Sequence, residues 1–497
     1  MAQHLDPGRN LSDDERTLQR MGYVQELARR MSGFSNYAIS LSIICILAGG
    51  ITSFQVGFGS VGGAAIGIGW PVSCLFSLVV AATMAQVASA FPTAGGLYHW
   101  ASILGGRGWG WVTAWFNLAG LVTVVAAVNA GTWDFIVGAL QWQLGSNATI
   151  VKALGVTVIT LSQAAFNHKG IRLTTRLTDF SGWWILLVSV VLTVALLAGV
   201  TKLDFGRLVA FANFSGVPSD APVFPRVENI AWLFALGLLL PAYTITGFDA
   251  SAHTSEETIG AAINVPRGIV RSVLVSGVVG WVMLCAVVLA MPDLKQAAEQ
   301  GANAFYWTVN TVVSPGQAKA LYLGIGLAQY FCGLAALTSA SRMAFAFARD
   351  GGLPLALRRV SPTSRTPSIA IWAMAVTAVV FMVCIPYTTI AAVCVIFLYI
   401  SYVLPTVAGF FAHGRSWTAM GPWHLGRWYK PLAVVSVLFC VFLIVIGMQP
   451  PNQQAMWLVG GSVGLLAVVW FAFERKRFRG PPQMKSIHVE AADAIQR

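Results

Sequence analysis

Apolar runs of about twenty residues recur along this chain from residue 34 to residue 473. Each is long enough to cross the ~30 Å hydrocarbon core of a bilayer as an α-helix, at about 1.5 Å of rise per residue. Twelve spans are expected, over 34–62, 67–90, 108–138, 149–167, 179–200, 230–254, 268–291, 318–346, 368–386, 389–412, 431–449 and 455–473. In hydrocarbon every backbone polar group must be bonded within the chain, so runs of this length fold as helices. Charged residues make up only 10% of the 497 residues, against about 25% in soluble domains, so the lipid bilayer is the expected surrounding.

Charge placement gives an expected orientation. With the N-terminus in the cytoplasm, 25 of the 31 Lys and Arg residues fall on the cytoplasmic side, leaving Lys152, Lys202, Arg207, Arg226, Lys295 and Lys319 outside. That alternation follows the positive-inside rule and places both termini in the cytoplasm of a cell membrane. The net charge of +12 is then spread over loops facing anionic head groups and forms no stripe for nucleic acid. The expected organisation is a cytoplasmic segment 1–33, a ten-helix transport core 34–412, two peripheral spans 413–473 and a cytoplasmic tail 474–497. The first 30 residues, through Arg29 and Arg30, hold no signal-peptide apolar core. The seven cysteines lie singly, without metal-ligand spacing, and no metal or other cofactor is expected.

Two spans are interrupted midway. The first contains Gly49-Gly50-Ile51-Thr52-Ser53, and the sixth contains Thr246-Gly247-Phe248-Asp249. Glycine weakens a helix and neighbouring hydroxyls satisfy the freed backbone groups. Interruptions five spans apart fit an inverted repeat of five plus five helices with a solute held between the broken pair. Asp249 stands out because a carboxylate costs roughly 2.5–3.5 kcal/mol at mid-membrane, so it needs a partner. That partner is a substrate amine, a proton or a helix end. Glu256 and Glu257 follow at the end of the sixth span, near Arg267, and a gate ion pair or solvated loop charges are both open readings.

Three motifs carry a resemblance: Gly247-Phe248-Asp249-Ala250-Ser251-Ala252-His253-Thr254-Ser255-Glu256-Glu257, Phe91-Pro92-Thr93-Ala94-Gly95-Gly96-Leu97-Tyr98-His99-Trp100, and Ser341-Arg342-Met343-Ala344-Phe345-Ala346-Phe347-Ala348-Arg349-Asp350-Gly351. The chain resembles the amino acid/polyamine/organocation (APC) transporter superfamily, in its amino acid and choline transporter branch. The resemblance implies an all-α polytopic membrane protein of the LeuT type, with about 12 helices, helices 1 and 6 broken, and alternating-access transport of a small amino acid or amine. By the same resemblance Gly49, Gly50, Ile51, Thr52 and Ser53 would bind a substrate carboxylate. Thr246, Gly247 and Asp249 would face its amine, Phe248 would be a lid, and Thr338 and Ser339 an ion site. Coupling to a proton or a sodium gradient is open. The fifth span lacks the lysine that some proton-coupled relatives carry.

Other classes are disfavoured. A membrane-embedded transferase needs clustered Asp, His or Glu at a membrane face, whereas the seven histidines are dispersed along the sequence. A channel predicts pore symmetry without two broken helices.

Overall fold

The computed structural model describes residues 11–143, 145–385 and 387–482. Most of the expected tail 474–497 and the first ten residues lie outside that range. The regular structure of the described residues is all helix, with two isolated bridges and no sheet.

A short helix α1 (Asp13–Arg20) opens on a capping box in which Ser12 and Glu15 satisfy each other's backbone N–H. The first apolar run divides into α2 (Gly33–Ile44), α3 (Gly49–Thr52) and α4 (Phe54–Val61). Then come α5 (Trp70–Ala90), a short α6 (Leu97–Gly105), α7 (Arg107–Leu140), α8 (Ala148–His168) and α9 (Ile171–Ala198). The sixth apolar run is again split, into α10 (Ile230–Gly237), α11 (Leu239–Thr244) and α12 (Ala250–His253). After α13 (Ala261–Ala290), the stretch between the expected spans 268–291 and 318–346 folds into α14 (Leu294–Glu299) and α15 (Ala304–Val312). The chain continues through α16 (Pro315–Arg349), α17 (Ser368–Cys384), α18 (Tyr387–Ala412), α19 (Tyr429–Gly447) and α20 (Gln453–Val469).

Among the described residues, ten helical stretches are long and apolar enough to cross a membrane, and Ile230–Thr244 and Ser368–Cys384 are shorter apolar helices. Ten of the twelve expected spans are therefore present at membrane-crossing length, and the sixth and ninth coincide with the two shorter helices. Hydropathy also missed some ends. α9 begins at Ile171, α13 at Ala261, and α16 runs on to Arg349, because helix continues into polar turns that an apolar window excludes. Arg342 and Arg349, counted above with loop charges, are therefore helix residues.

The two faces of these helices differ as lipid and protein contacts require. Trp183, Leu187, Val190 and Val194 on α9, and Trp457, Leu465 and Val468 on α20, are exposed apolar side chains. Inside, α7 packs along both α16 and α18. Small residues permit the approach: a Cβ on Gly120 would lie 2.8 Å from the Leu398 side chain. Amides then fasten the helices. Asn129 on α7 and Gln163 on α8 exchange two bonds of 2.8 Å, and Gln163 also donates to the Tyr330 carbonyl of α16 at 2.9 Å. Such bonds average about 0.6 kcal/mol each in membrane proteins, so they set helix register more than they supply stability.

Candidate substrate site and the closed face beneath it

The first break is made by a residue with no turn signature. Cys45 ends α2 in the left-handed region, at φ 30°, a conformation that costs a non-glycine residue roughly 1–2 kcal/mol. Residues 45–48 then turn before α3 begins. The glycine pair serves close packing instead. A Cβ on Gly49 would sit 2.7 Å from the Thr244 Cα and 3.0 Å from the Tyr243 carbonyl oxygen, whereas one on Gly50 would meet Leu284 at an ordinary 3.6 Å. The second break spans residues 245–249, with Gly247 at φ +81° and the place of its Cβ filled by Ile43. Each break thus holds a glycine against the other broken helix, and the two interruptions touch.

Where they touch, a cavity of about 70 Å³ opens. Its walls include Ile43, Ala48, Gly49, Thr52 and Ser53 of the first run, Tyr243 and Thr246 of the sixth, Val128 and Gly131 of α7, Gln329 and Cys332 of α16, and Cys394 of α18. Among the expected substrate residues, Gly49, Thr52, Ser53 and Thr246 line it. Gly50 faces α13, and Ile51, Gly247, Phe248 and Asp249 are not among its walls. Sequence reasoning missed Gln329. Its side chain is fully buried and neither amide atom has a hydrogen-bond partner. A buried amide left unbonded costs roughly 1–3 kcal/mol, which a solute in the cavity would recover.

Asp249 sits behind the cavity. Tyr402 donates to Oδ1 at 2.8 Å, while Oδ2 receives Asn117 at 2.9 Å and lies 3.1 Å from His253 Nε2. Phe248 is fully buried, its ring 5.0 Å from that of Tyr402. The Tyr402 hydroxyl also accepts from the Gly247 amide at 3.0 Å, so α18 pins the unwound turn.

The proposed partners of the two glutamates change. Arg267 is exposed on α13, and both carboxylates are fully buried rather than solvated. Glu256 takes a two-bond fork from Arg349 at 3.1 and 2.8 Å, and Glu257 takes one from Arg342 at 2.8 and 3.0 Å. α16 passes inside this turn, so its arginines reach the carboxylates where Arg267, on the outer face of α13, does not.

Residues 11–32 cover this same face. Asp14 accepts from the amides of Gly260 and Ala261 at 2.8 and 3.0 Å, capping α13. Arg30 and Met31 donate their amides to the Glu257 carbonyl, each at 2.8 Å. Tyr23 donates to Asp350 at 2.9 Å, and Tyr98 and His99 converge on the same Asp350 oxygen at 2.9 Å. Burial first, and Asp350 second, push the Tyr23 hydroxyl well above its ordinary range, so it stays a donor.

Thr338 does not oppose the broken helix. Its hydroxyl donates to Asn167 at 2.7 Å and to the Leu334 carbonyl, and Ser339 is buried without a partner. The α16 side chain that meets a first-run carbonyl is Cys332, with Sγ 3.2 Å from the Ile43 oxygen, about 9 Å of helical rise before Thr338. A thiol there is a poor ligand for a hard cation.

The model of a family described as "Amino acid permease" matches residues 31–473. The chain belongs to the amino acid permease family. This permease is 31% identical to "Amino-acid permease BAT1" of Arabidopsis thaliana, over 93% of this chain and 95% of that one. It is 27% identical to the "GABA-specific permease" of Saccharomyces cerevisiae, over 96% and 87% of the two chains. It is 25% identical to a "Putative polyamine transporter" of Candida albicans, over 95% and 89%. The family makes the protein a multi-pass membrane permease for amino acids or related amines.

Proposed function

We propose that this permease moves a small zwitterion, an α-amino acid or an ω-amino acid such as GABA, through the cavity between its two interrupted helices by alternating access. The observation that carries the reading is that both breaks and an unbonded Gln329 amide open on one cavity. The substrate carboxylate would lie at the start of α3, where a new helix presents unpaired N–H groups, and the amine near Thr246 and the unwound carbonyls. A polycation is the weaker choice, because no carboxylate is among the cavity walls and Asp249 is closed off by Tyr402. The Glu256–Arg349 and Glu257–Arg342 pairs then act as the closed gate on the face covered by the N-terminal segment. The distribution of Lys and Arg supports a cytoplasmic location for that face, in a cell membrane.

Uptake of labelled amino acids, GABA, putrescine and choline into proteoliposomes tests this. A zwitterion is expected to accumulate saturably, and Gln329→Leu to raise its KM about tenfold, the equivalent of one hydrogen bond to a charged group. Accumulation of none of the four classes would overturn the reading.

A further inference from the structure

His253 poses a question that the substrate site does not answer. Its ring is fully buried and each nitrogen faces an acceptor: Nδ1 lies 3.2 Å from the Ala94 carbonyl oxygen and Nε2 lies 3.1 Å from Asp249 Oδ2. A neutral imidazole has one N–H and one lone pair. If His253 were neutral beside an ionised Asp249, one lone pair would point at an oxygen lone pair in a site without water access. The contacts are satisfied only when the pair holds one more proton, as imidazolium and carboxylate or as imidazole and carboxylic acid. The remaining Asp249 contacts, from Tyr402 and Asn117, are the same in either form.

Both ends of this pair lead somewhere. Toward the cavity, Tyr402 bonds Asp249 and lies 3.5 Å from the Thr246 hydroxyl, which is a cavity wall. Away from it, Ala94 belongs to the turn between α5 and α6, and its amide donates to Glu256 Oε1 at 3.1 Å. The turn is therefore held by Ala94 at both backbone atoms, once by the gate glutamate and once by His253.

We propose, resting on the permease reading above, that the His253–Asp249 pair is the binding site of a coupling proton. The proton enters from cavity water through Thr246 and Tyr402 and neutralises the pair. With the proton bound, His253 holds the Ala94 turn and the face beneath stays shut. When the proton leaves to the other side, the pair returns to a net charge of −1, the His253–Ala94 bond is lost, and the turn is free to part from α12. The other charged groups around the pair are already committed: Glu256 to Arg349, Glu257 to Arg342, and His99 to Asp350. α2 presents the neutral Asn36 and Ser40, and Arg267 and Arg271 of α13 are exposed.

The test uses the full-length protein in proteoliposomes containing a pH-sensitive dye, with a transported amino acid as probe. Wild type is expected to carry protons inward with the solute. Under an acid-outside gradient of about two pH units it should concentrate the solute up to ~100-fold for one proton per solute, since each unit is tenfold. His253→Gln keeps one donor and one acceptor. It is expected to retain solute exchange across equal pH on both sides and to lose gradient-driven accumulation, whereas Asp249→Asn, neutral like the protonated pair, is expected to keep His253 on Ala94 and to lose both. Net solute uptake by the wild type without any proton flux would overturn the proposal and leave the permease reading intact, whatever the variants do. So would gradient-driven accumulation that persists in His253→Gln. Absence of wild-type exchange for every solute would overturn both.

Discussion

Replacing Arg342 by Met is expected to remove most of the folded protein from the membrane fraction. The guanidinium and the Glu257 carboxylate are fully buried and joined by two bonds, at 2.8 and 3.0 Å. Arg342 also reaches the Ser341 hydroxyl at 3.1 Å and Asn167 of α8 at 3.5 Å. The Glu257 backbone carbonyl receives the amides of Arg30 and Met31. One residue pair thus ties α8, α16, the turn after α12 and the N-terminal segment together. Removing one member of a buried pair costs roughly 3–5 kcal/mol, because the other is left as an uncompensated charge. A folded domain has only about 5–15 kcal/mol in total. The double variant Glu257→Gln with Arg342→Met removes both charges and is expected to recover most of the lost stability, since neutral replacement of a buried pair is often harmless. Thermal melting in detergent, followed by size-exclusion profile, reads both outcomes. A single variant that melts with the wild type would mean that the pair contributes nothing to folding.

The second large effect falls on transport rather than on folding. Gly49→Val should abolish measurable uptake, while its neighbour Gly50→Ala should leave uptake close to wild type. At Gly49 a side chain would strike backbone, the Thr244 Cα at 2.7 Å and the Tyr243 oxygen at 3.0 Å, and backbone cannot move aside as a rotamer can. Overpacking of this kind costs about 1–3 kcal/mol and is relieved here only by parting the two breaks, which reshapes the walls of the cavity. At Gly50 the nearest atoms are side-chain carbons of Leu284 and Met283, at 3.6–3.9 Å, an ordinary contact. Uptake of one amino acid by the two variants, normalised to protein in the vesicles, checks the contrast. Equal activity in both would show that the breaks do not work as a joined pair.

The spans were readable because hydropathy measures what lipid demands, and the two interruptions because glycine and hydroxyl residues cluster within apolar runs. What could not be read was which residue does which task within them. Cys45 carries the left-handed turn although no propensity marks cysteine for it, and the glycines that drew attention serve interhelical approach. The partners of Glu256 and Glu257 were sought at Arg267, nearby in sequence, but lie more than eighty residues away on α16. Spacing along a chain says nothing about contacts across a bundle. His253 looked like one of several dispersed histidines until folding set it beside Asp249 and Ala94. Gln329 was missed although its signal was present: a lone amide deep in an apolar run must find a polar partner or face a cavity.

Occupancy by solute of the cavity between the breaks has a native reporter. Cys394 lines that cavity, is reduced, and its Sγ contacts the Ala391 carbonyl at 3.1 Å. With the other cysteines replaced by alanine, the rate at which a small thiol-reactive reagent modifies Cys394 can be followed against the concentration of a transported amino acid. Protection is expected to saturate at the concentration where uptake saturates. A modification rate unchanged at saturating solute, in a variant that still transports, would place the solute elsewhere and contradict occupancy of the cavity.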